Sequence, residues 1–213
     1  MKTDDLIVML STGLEPTDRH AARKRLVPPV LLGLAVALLL LVLFPGTRAD
    51  LDRLFATPAF WLKLALPLSL WISALAISAR LASPGALPHR LWLGIAGPAG
   101  VAWLLATLAV ASAPPELREA LVLGRTWRTC SLNIAMLALP CLALMLWALR
   151  GLAPTQLRLS GAMAGLFAGA TGALAYCLHC PEMQIPFWAT WYLAGMSIPT
   201  VAGALLGPLA LRW

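Results

Sequence analysis

The sequence predicts an all-α protein: a six-helix transmembrane bundle with a short cytoplasmic N-terminal helical tail. Of the 213 residues, 60% are hydrophobic and only 12% are charged, whereas soluble domains carry about 25% charged residues. A chain with so few charges cannot cover a water-facing surface. The composition therefore excludes an ordinary soluble domain and indicates a chain that crosses a membrane several times.

Long uncharged stretches define the predicted spans. Each stretch provides the roughly 20 apolar residues that a helix needs to cross the hydrocarbon core of a bilayer. Because lipid offers the backbone no hydrogen-bond partner, these spans are expected to be helices. The six predicted spans are residues 27–44, 60–82, 91–112, 131–149, 159–179 and 187–210. The fifth span carries a glycine face that permits close helix contact, formed by Gly161, Gly165, Gly169 and Gly172.

The basic residues predict the orientation of the spans, because lysine and arginine favour the cytoplasmic side. With the N-terminus inside, ten of the 16 basic residues lie on the inner side, among them Arg23, Lys24 and Arg25 directly before the first span. Both termini are therefore expected in the cytoplasm. Anchoring of this kind and attraction to anionic lipid account for the net charge of +7. The bilayer is the expected partner, and no direct nucleic-acid contact is predicted.

Residues 1–26 form the longest polar segment, and residues 27–213 form the predicted six-span domain. Thr3 or Asp4 can cap a short helix, whose acidic first turn suits the helix dipole. One interpretation places this helix on the membrane surface or against the bundle. The other makes it a docking segment for a cytosolic protein, bound as a helix in a groove. The candidate docking residues are Asp4, Asp5, Leu6, Ile7 and Leu10.

Two of the four cysteines lie at the same predicted depth on the outer side. Cys130 precedes the fourth span and Cys180 follows the fifth, whereas Cys141 stands in mid-span as a packing residue and Cys177 is ambiguous. In an oxidising compartment such a pair can persist as a disulfide. Cys177 and Cys180 have the spacing of a thiol–disulfide redox motif, but no surrounding βαβ pattern supports one.

A metal site is the alternative use of the same residues, because thiolates, imidazoles and carboxylates are the usual ligands of zinc and related metals. The candidate ligands are Cys130, His179, Cys180 and Glu182, and Cys177 is an additional candidate. Glu182 is the only charged residue between Arg158 and Arg212, and an ionisable group near a span is a functional candidate. The structural alternatives are a simple hydrogen bond for His179 and pairing of Glu182 with Arg125 or Arg128.

Several segments resemble the NrsF family of polytopic inner-membrane anti-sigma factors, formerly a domain of unknown function. The segments are residues 1–7 (MKTDDLI), 127–132 (WRTCSL), 147–155 (WALRGLAPT), 179–182 (HCPE), 186–188 (PFW) and 191–192 (WY). The resemblance implies a bacterial inner-membrane protein that holds an extracytoplasmic-function sigma factor inactive. It also implies that outward-facing cysteines release this partner under heavy-metal or oxidative stress.

By motif, the resemblance makes Cys130 and Cys180 the sensing cysteines and the N-terminal tail the sigma contact, whereas Cys177 has no counterpart in the family pattern. No obligatory cofactor is implied, a heavy-metal ion would bind only transiently, and no small-molecule substrate is expected. No catalytic arrangement is present in the sequence, so we do not predict an enzyme. The competing functions are a small membrane transporter and a membrane thiol–disulfide redox protein.

Overall fold

The computed structural model describes residues 3, 5, 6, 9, 21–48, 50–82 and 90–212. Within these residues every regular element is a helix and no strand occurs, which confirms the predicted fold class. The helices are α1 (Ala21–Leu43), α2 (Leu51–Phe55), α3 (Pro58–Leu81), α4 (Leu93–Ser112), α5 (Pro115–Leu123), α6 (Trp127–Arg150), α7 (Leu157–Tyr176) and α8 (Ile185–Ala210).

In the described part of the chain, six helices are long and apolar enough to cross a membrane, namely α1, α3, α4, α6, α7 and α8. The predicted number of spans is therefore confirmed. The largest difference is at the start of α1, which begins at Ala21 and continues through Pro28 and Pro29, so that no break separates residues 26 and 27. The fifth span ends at Tyr176 rather than at residue 179, because residues 177–180 form a turn, and Pro181 after it lacks the N–H that a further helical hydrogen bond would need.

Two short helices between the spans were not predicted. Helix α5 begins with prolines before and at its first position, where a missing N–H is tolerated, and it ends at Gly124. None of its residues is buried. Its attachment to α8 includes the indole of Trp191, which donates a hydrogen bond to the carbonyl of Val122 at 2.8 Å.

Helix α7 occupies the centre of the bundle, and almost every residue from Ser160 to Ala173 is buried. The glycines on its face contact two neighbouring helices, α6 and α8. A methyl group at Gly165 would overlap the backbone of Pro199 in α8, whereas one at Gly172 would overlap the backbone of α6 at Ile134. The predicted close contact is present, and it fixes the position of α7 against both α6 and α8.

Before α1, the N-terminal tail is described only at Thr3, Asp5, Leu6 and Met9, all helical and exposed. Of the predicted docking residues, Asp5 and Leu6 are thus described as exposed. The other three, Asp4, Ile7 and Leu10, lie outside the described residues.

Candidate functional site

Three of the four cysteines meet at one end of the bundle. Cys130 lies in the first turn of α6, and Cys177 and Cys180 lie in the turn that follows α7. All three side chains are fully buried, and their thiols are free. We refer to Cys130, Cys177 and Cys180 as the cysteine cluster. The structure thus brings together the two cysteines that the sequence placed on one side of the membrane.

Within the cluster, the thiols of Cys130 and Cys180 lie close enough for a weak S–H···S hydrogen bond. This bond lowers the pKa of Cys180, and the charge of Lys63 and the backbone N–H of Glu182 lower it further, against the opposing effect of burial. Hydrogen bonds and cations that stabilise a thiolate increase the reactivity of a cysteine. Cys180 is therefore the thiol of the pair whose pKa its surroundings lower.

Cys177 differs sharply from Cys180, although only two residues separate them. Burial raises the pKa of Cys177 to about 12, and the charge of Lys63 offsets only part of this rise. A thiol that stays protonated is a poor nucleophile. Cys177 is therefore not the attacking nucleophile of the cluster, whereas Cys180 is the thiol suited to that role.

Lys63 is the charged component of this site. It lies six residues into α3, its side chain is 0% exposed, and its Nζ donates hydrogen bonds to the carbonyls of Cys180 (3.0 Å) and Glu182 (2.9 Å). The ammonium also lies 5.2 Å from the centre of the Tyr192 ring, within the range of a cation–π contact. Sequence reasoning missed Lys63 because it was counted among the outer basic residues. Its position inside an apolar span was the available signal.

Aromatic side chains enclose the cluster. Tyr192 is fully buried, and its hydroxyl lies beside the sulfurs of Cys177 and Cys180, with no oxygen or nitrogen partner in the described part of the chain. The Tyr176 hydroxyl accepts a hydrogen bond from the amide of Asn133 at 3.4 Å. This enclosure shields the sulfurs from bulk solvent.

His179 and Glu182 hold the turn in place rather than face the sulfurs. The Nδ1 atom of His179 lies 2.9 Å from the carbonyl of Gly46, and Oε1 of Glu182 accepts a hydrogen bond from the backbone N–H of Arg125 at 2.7 Å. In the described residues, no group of three or more His, Cys, Asp or Glu side chains is arranged to bind a metal ion. The structure therefore does not assemble the four ligands proposed from Cys130, His179, Cys180 and Glu182, because two of the four side chains are bound to backbone groups elsewhere.

Gly124 allows the loop before α6 to approach Glu182. Its φ of +54° lies in a region that side-chain-bearing residues rarely adopt. A Cβ at this position would lie 2.7 Å from the ring of Phe187 and 2.9 Å from Cδ of Glu182. The glycine is therefore required both by its conformation and by the space available.

Comparisons with known proteins assign the chain to a family. The family described as "Negative regulator of sigma F" (NrsF) matches residues 10–213 of the chain. The chain belongs to the NrsF family. The "Probable anti-sigma-F factor NrsF" of Azospira oryzae is 41% identical over 217 residues, and the "Anti-sigma-F factor NrsF" of Caulobacter vibrioides is 38% identical over 215 residues. Each alignment covers 100% of both proteins.

Membership of the NrsF family confirms the resemblance found in the sequence. The NrsF relatives are regulatory proteins rather than enzymes, so the prediction that the chain is not an enzyme is also confirmed. No solved structure matches the chain.

Proposed function

We propose that this chain is an anti-sigma factor of the bacterial inner membrane. It holds an extracytoplasmic-function sigma factor inactive and releases it when the cysteine cluster reacts with an oxidant or a thiophilic heavy-metal ion. Both termini face the cytoplasm in this proposal, and the cysteine cluster faces the periplasm. Membership of the NrsF family supports the regulatory part, and the excess of basic residues on one side supports the orientation.

The observation that carries the sensing part is the direct contact between Cys130 and Cys180. The two residues belong to different segments, so a bond between them joins the start of α6 to the end of α7. A disulfide fixes its two residues within a narrow range of geometry. Since α6 and α7 pack backbone to backbone at Gly172, a shift of one helix displaces the other.

The oxidation is a two-electron step. With a hydroperoxide as the oxidant, the Cys180 thiolate takes the terminal oxygen to form a sulfenic acid, and the released alkoxide takes a proton from water. The Cys130 thiol then displaces the sulfenic oxygen as water, which forms the disulfide. A signal must change the relative stability of two arrangements by a few kcal/mol to shift their populations usefully, and a disulfide supplies free energy of that order.

The N-terminal tail is the proposed contact for the sigma factor, through Asp4, Asp5, Leu6, Ile7 and Leu10. Asp5, Leu6 and the neighbouring Met9 are exposed on a helix. An exposed apolar side chain on a short helix suits a partner that provides a hydrophobic groove.

A sigma-dependent reporter tests the sensing part of this proposal in cells that carry the full-length chain. We expect Cys130→Ser and Cys180→Ser each to abolish induction by cadmium, chromate or hydroperoxide, with normal membrane levels of the protein. Cys141→Ser is the matched control, since Cys141 is equally buried but lies away from the cluster, and it should respond like the wild type. A normal response in both cluster variants would refute the sensing role.

Co-purification tests the partner. The full-length chain, isolated from untreated membranes in reductant, should bring a sigma factor with it, and treatment with the oxidant should release that factor. Deletion of residues 1–14 should release it without any signal. Retention of the sigma factor by the shortened chain would show that the contact lies elsewhere.

A further inference from the structure

Lys63 is a buried cation that has no acidic partner among the described residues. Its ammonium is bound by two backbone carbonyls and one aromatic ring, and none of the described carboxylates forms an ion pair with it. A buried charge without compensation is strongly destabilising. Carbonyl dipoles provide part of the compensation, and the Cys180 sulfur is the anion that the cluster offers for the rest.

The sulfurs and the ammonium are electrostatically coupled. The charge of Lys63 acts on Cys177 and Cys180, and in both cases it lowers the pKa of the thiol. Its two hydrogen bonds hold the backbone at both ends of the short segment from Cys180 to Glu182. Lys63 thus has two separable properties at this site: a positive charge and a pair of donated hydrogen bonds.

We propose that Lys63 is a positioning residue of the sensor: its ammonium is the counter-ion of the Cys180 sulfur and holds the 180–182 segment against Cys130. This inference rests on the proposed cysteine sensing. It adds Lys63 as the group that makes the Cys180 thiol reactive and that responds once Cys180 has reacted.

The electrostatic coupling between Lys63 and Cys180 links the reaction of the thiol to a structural change. When Cys180 forms a covalent bond, its negative charge disappears and Lys63 remains as a buried cation without a counter-ion. That state is relieved when the 180–182 segment opens and the ammonium reaches water. A local chemical change is thereby converted into movement of the segment that joins α7 to α8.

Arg48 provides a matched control. It also donates to the carbonyl of Cys180, at 3.4 Å, but its side chain is 20% exposed and forms an ion pair with Asp50. Solvent and the neighbouring carboxylate therefore screen its charge. If the proposal is correct, loss of the Arg48 charge has little effect on Cys180, whereas loss of the Lys63 charge has a large one.

The test measures how fast N-ethylmaleimide modifies Cys180 in the purified full-length protein, read peptide by peptide by mass spectrometry. The thiolate adds to the carbon–carbon double bond, and the resulting carbanion takes a proton from water. We expect Lys63→Gln, which keeps hydrogen-bond donors without the charge, to slow the modification about tenfold or more. Lys63→Arg should restore the rate to within about threefold, and Arg48→Met should change it less than twofold.

Two results of this assay would overturn the inference. One is an unchanged rate in Lys63→Gln, and the other is equal slowing by Lys63→Gln and Lys63→Arg, which would make Lys63 a structural residue only. Since no sigma factor takes part in the assay, this failure is distinct from a failure of the Cys130→Ser and Cys180→Ser reporter experiment.

A second measurement on the unaltered chain applies even if Lys63→Gln does not fold. Lys63 should resist a small amine-reactive reagent in the reduced protein and become modified after Cys180 has been alkylated. Resistance in both states would contradict the proposed opening, and modification in both states would contradict the burial on which the counter-ion role depends.

Discussion

Cys180 and Cys141 show what a buried sulfur does in two different surroundings. Both side chains are 0% exposed. Cys141 lies in the middle of α6, with its sulfur 3.7 Å from the Thr171 hydroxyl and packed closely against Gly33 of α1. Cys180 lies at the end of the bundle beside a second thiol and a lysine. Burial alone produces a packing residue, whereas burial next to a cation and a hydrogen-bond donor produces a reactive group.

The largest expected effect on disulfide formation comes from a substitution at Gly124, in the loop before α6. Gly124→Val adds side-chain atoms that overlap the side chains of Glu182 and Phe187 at a positive φ, which should break the hydrogen bond from Arg125 to Glu182 and loosen the 180–182 segment. We expect the rate of Cys130–Cys180 disulfide formation by a hydroperoxide to fall about tenfold, since an effect of that size needs only about 1.4 kcal/mol. Non-reducing electrophoresis after timed oxidation measures this rate.

Gly97→Val is the control for that experiment. Gly97 lies in α4, where an added Cβ meets no atom within 4 Å, so the variant should form the disulfide at the wild-type rate. Equal rates in both variants would show that the position of the 180–182 segment does not govern the contact between Cys130 and Cys180.

A smaller effect is expected from Cys177, whose comparison with Cys180 is the sharpest because both lie in one turn. Cys177→Ser removes a thiol that burial keeps protonated near neutral pH, so induction of the sigma-dependent reporter should change less than about threefold. Loss of induction as complete as in Cys180→Ser would mean that Cys177 takes part in the exchange and that the redox motif is real.

The smallest effect on sensing is expected at Cys141. Cys141→Ala removes a buried sulfur from a tight contact with α1 and should lower the free energy of unfolding by about 1 kcal/mol, with no change in the modification rate of Cys180. A thermal unfolding curve in detergent and the maleimide assay measure the two quantities. A slower reaction of Cys180 would show that the two sulfur environments are coupled through α6.

The spans were predictable because hydrophobicity and the spacing of charges determine where a chain can cross a bilayer. Helix α5 was not predicted, since it lies outside the spans and is stabilised in part by contacts such as the one between Trp191 and Val122. The meeting of Cys130 and Cys180 followed from counting spans, because the start of an even span and the end of an odd span share a side.

Side-chain direction was the part that sequence could not supply. His179 and Glu182 have the chemistry of metal ligands, but in a turn the direction of each side chain depends on tertiary neighbours, here Gly46 and Arg125. The direction of the Lys63 side chain could not be predicted for the same reason. Its charge was counted toward the orientation of the chain, whereas the fold directs it inward to two carbonyls that lie more than 100 residues away in sequence.

The loop after α1 is fastened to the cysteine turn at three points. The backbone N–H of Arg48 donates to Leu178, its guanidinium donates to Cys180, and His179 contacts Gly46. Helix α1 itself is 23 residues long, which corresponds to about 34 Å, and it begins where the N-terminal segment ends. In the proposed mechanism, α1 therefore provides a direct mechanical connection from the cysteine turn at one end of the bundle to the residues that begin α1 at the other end.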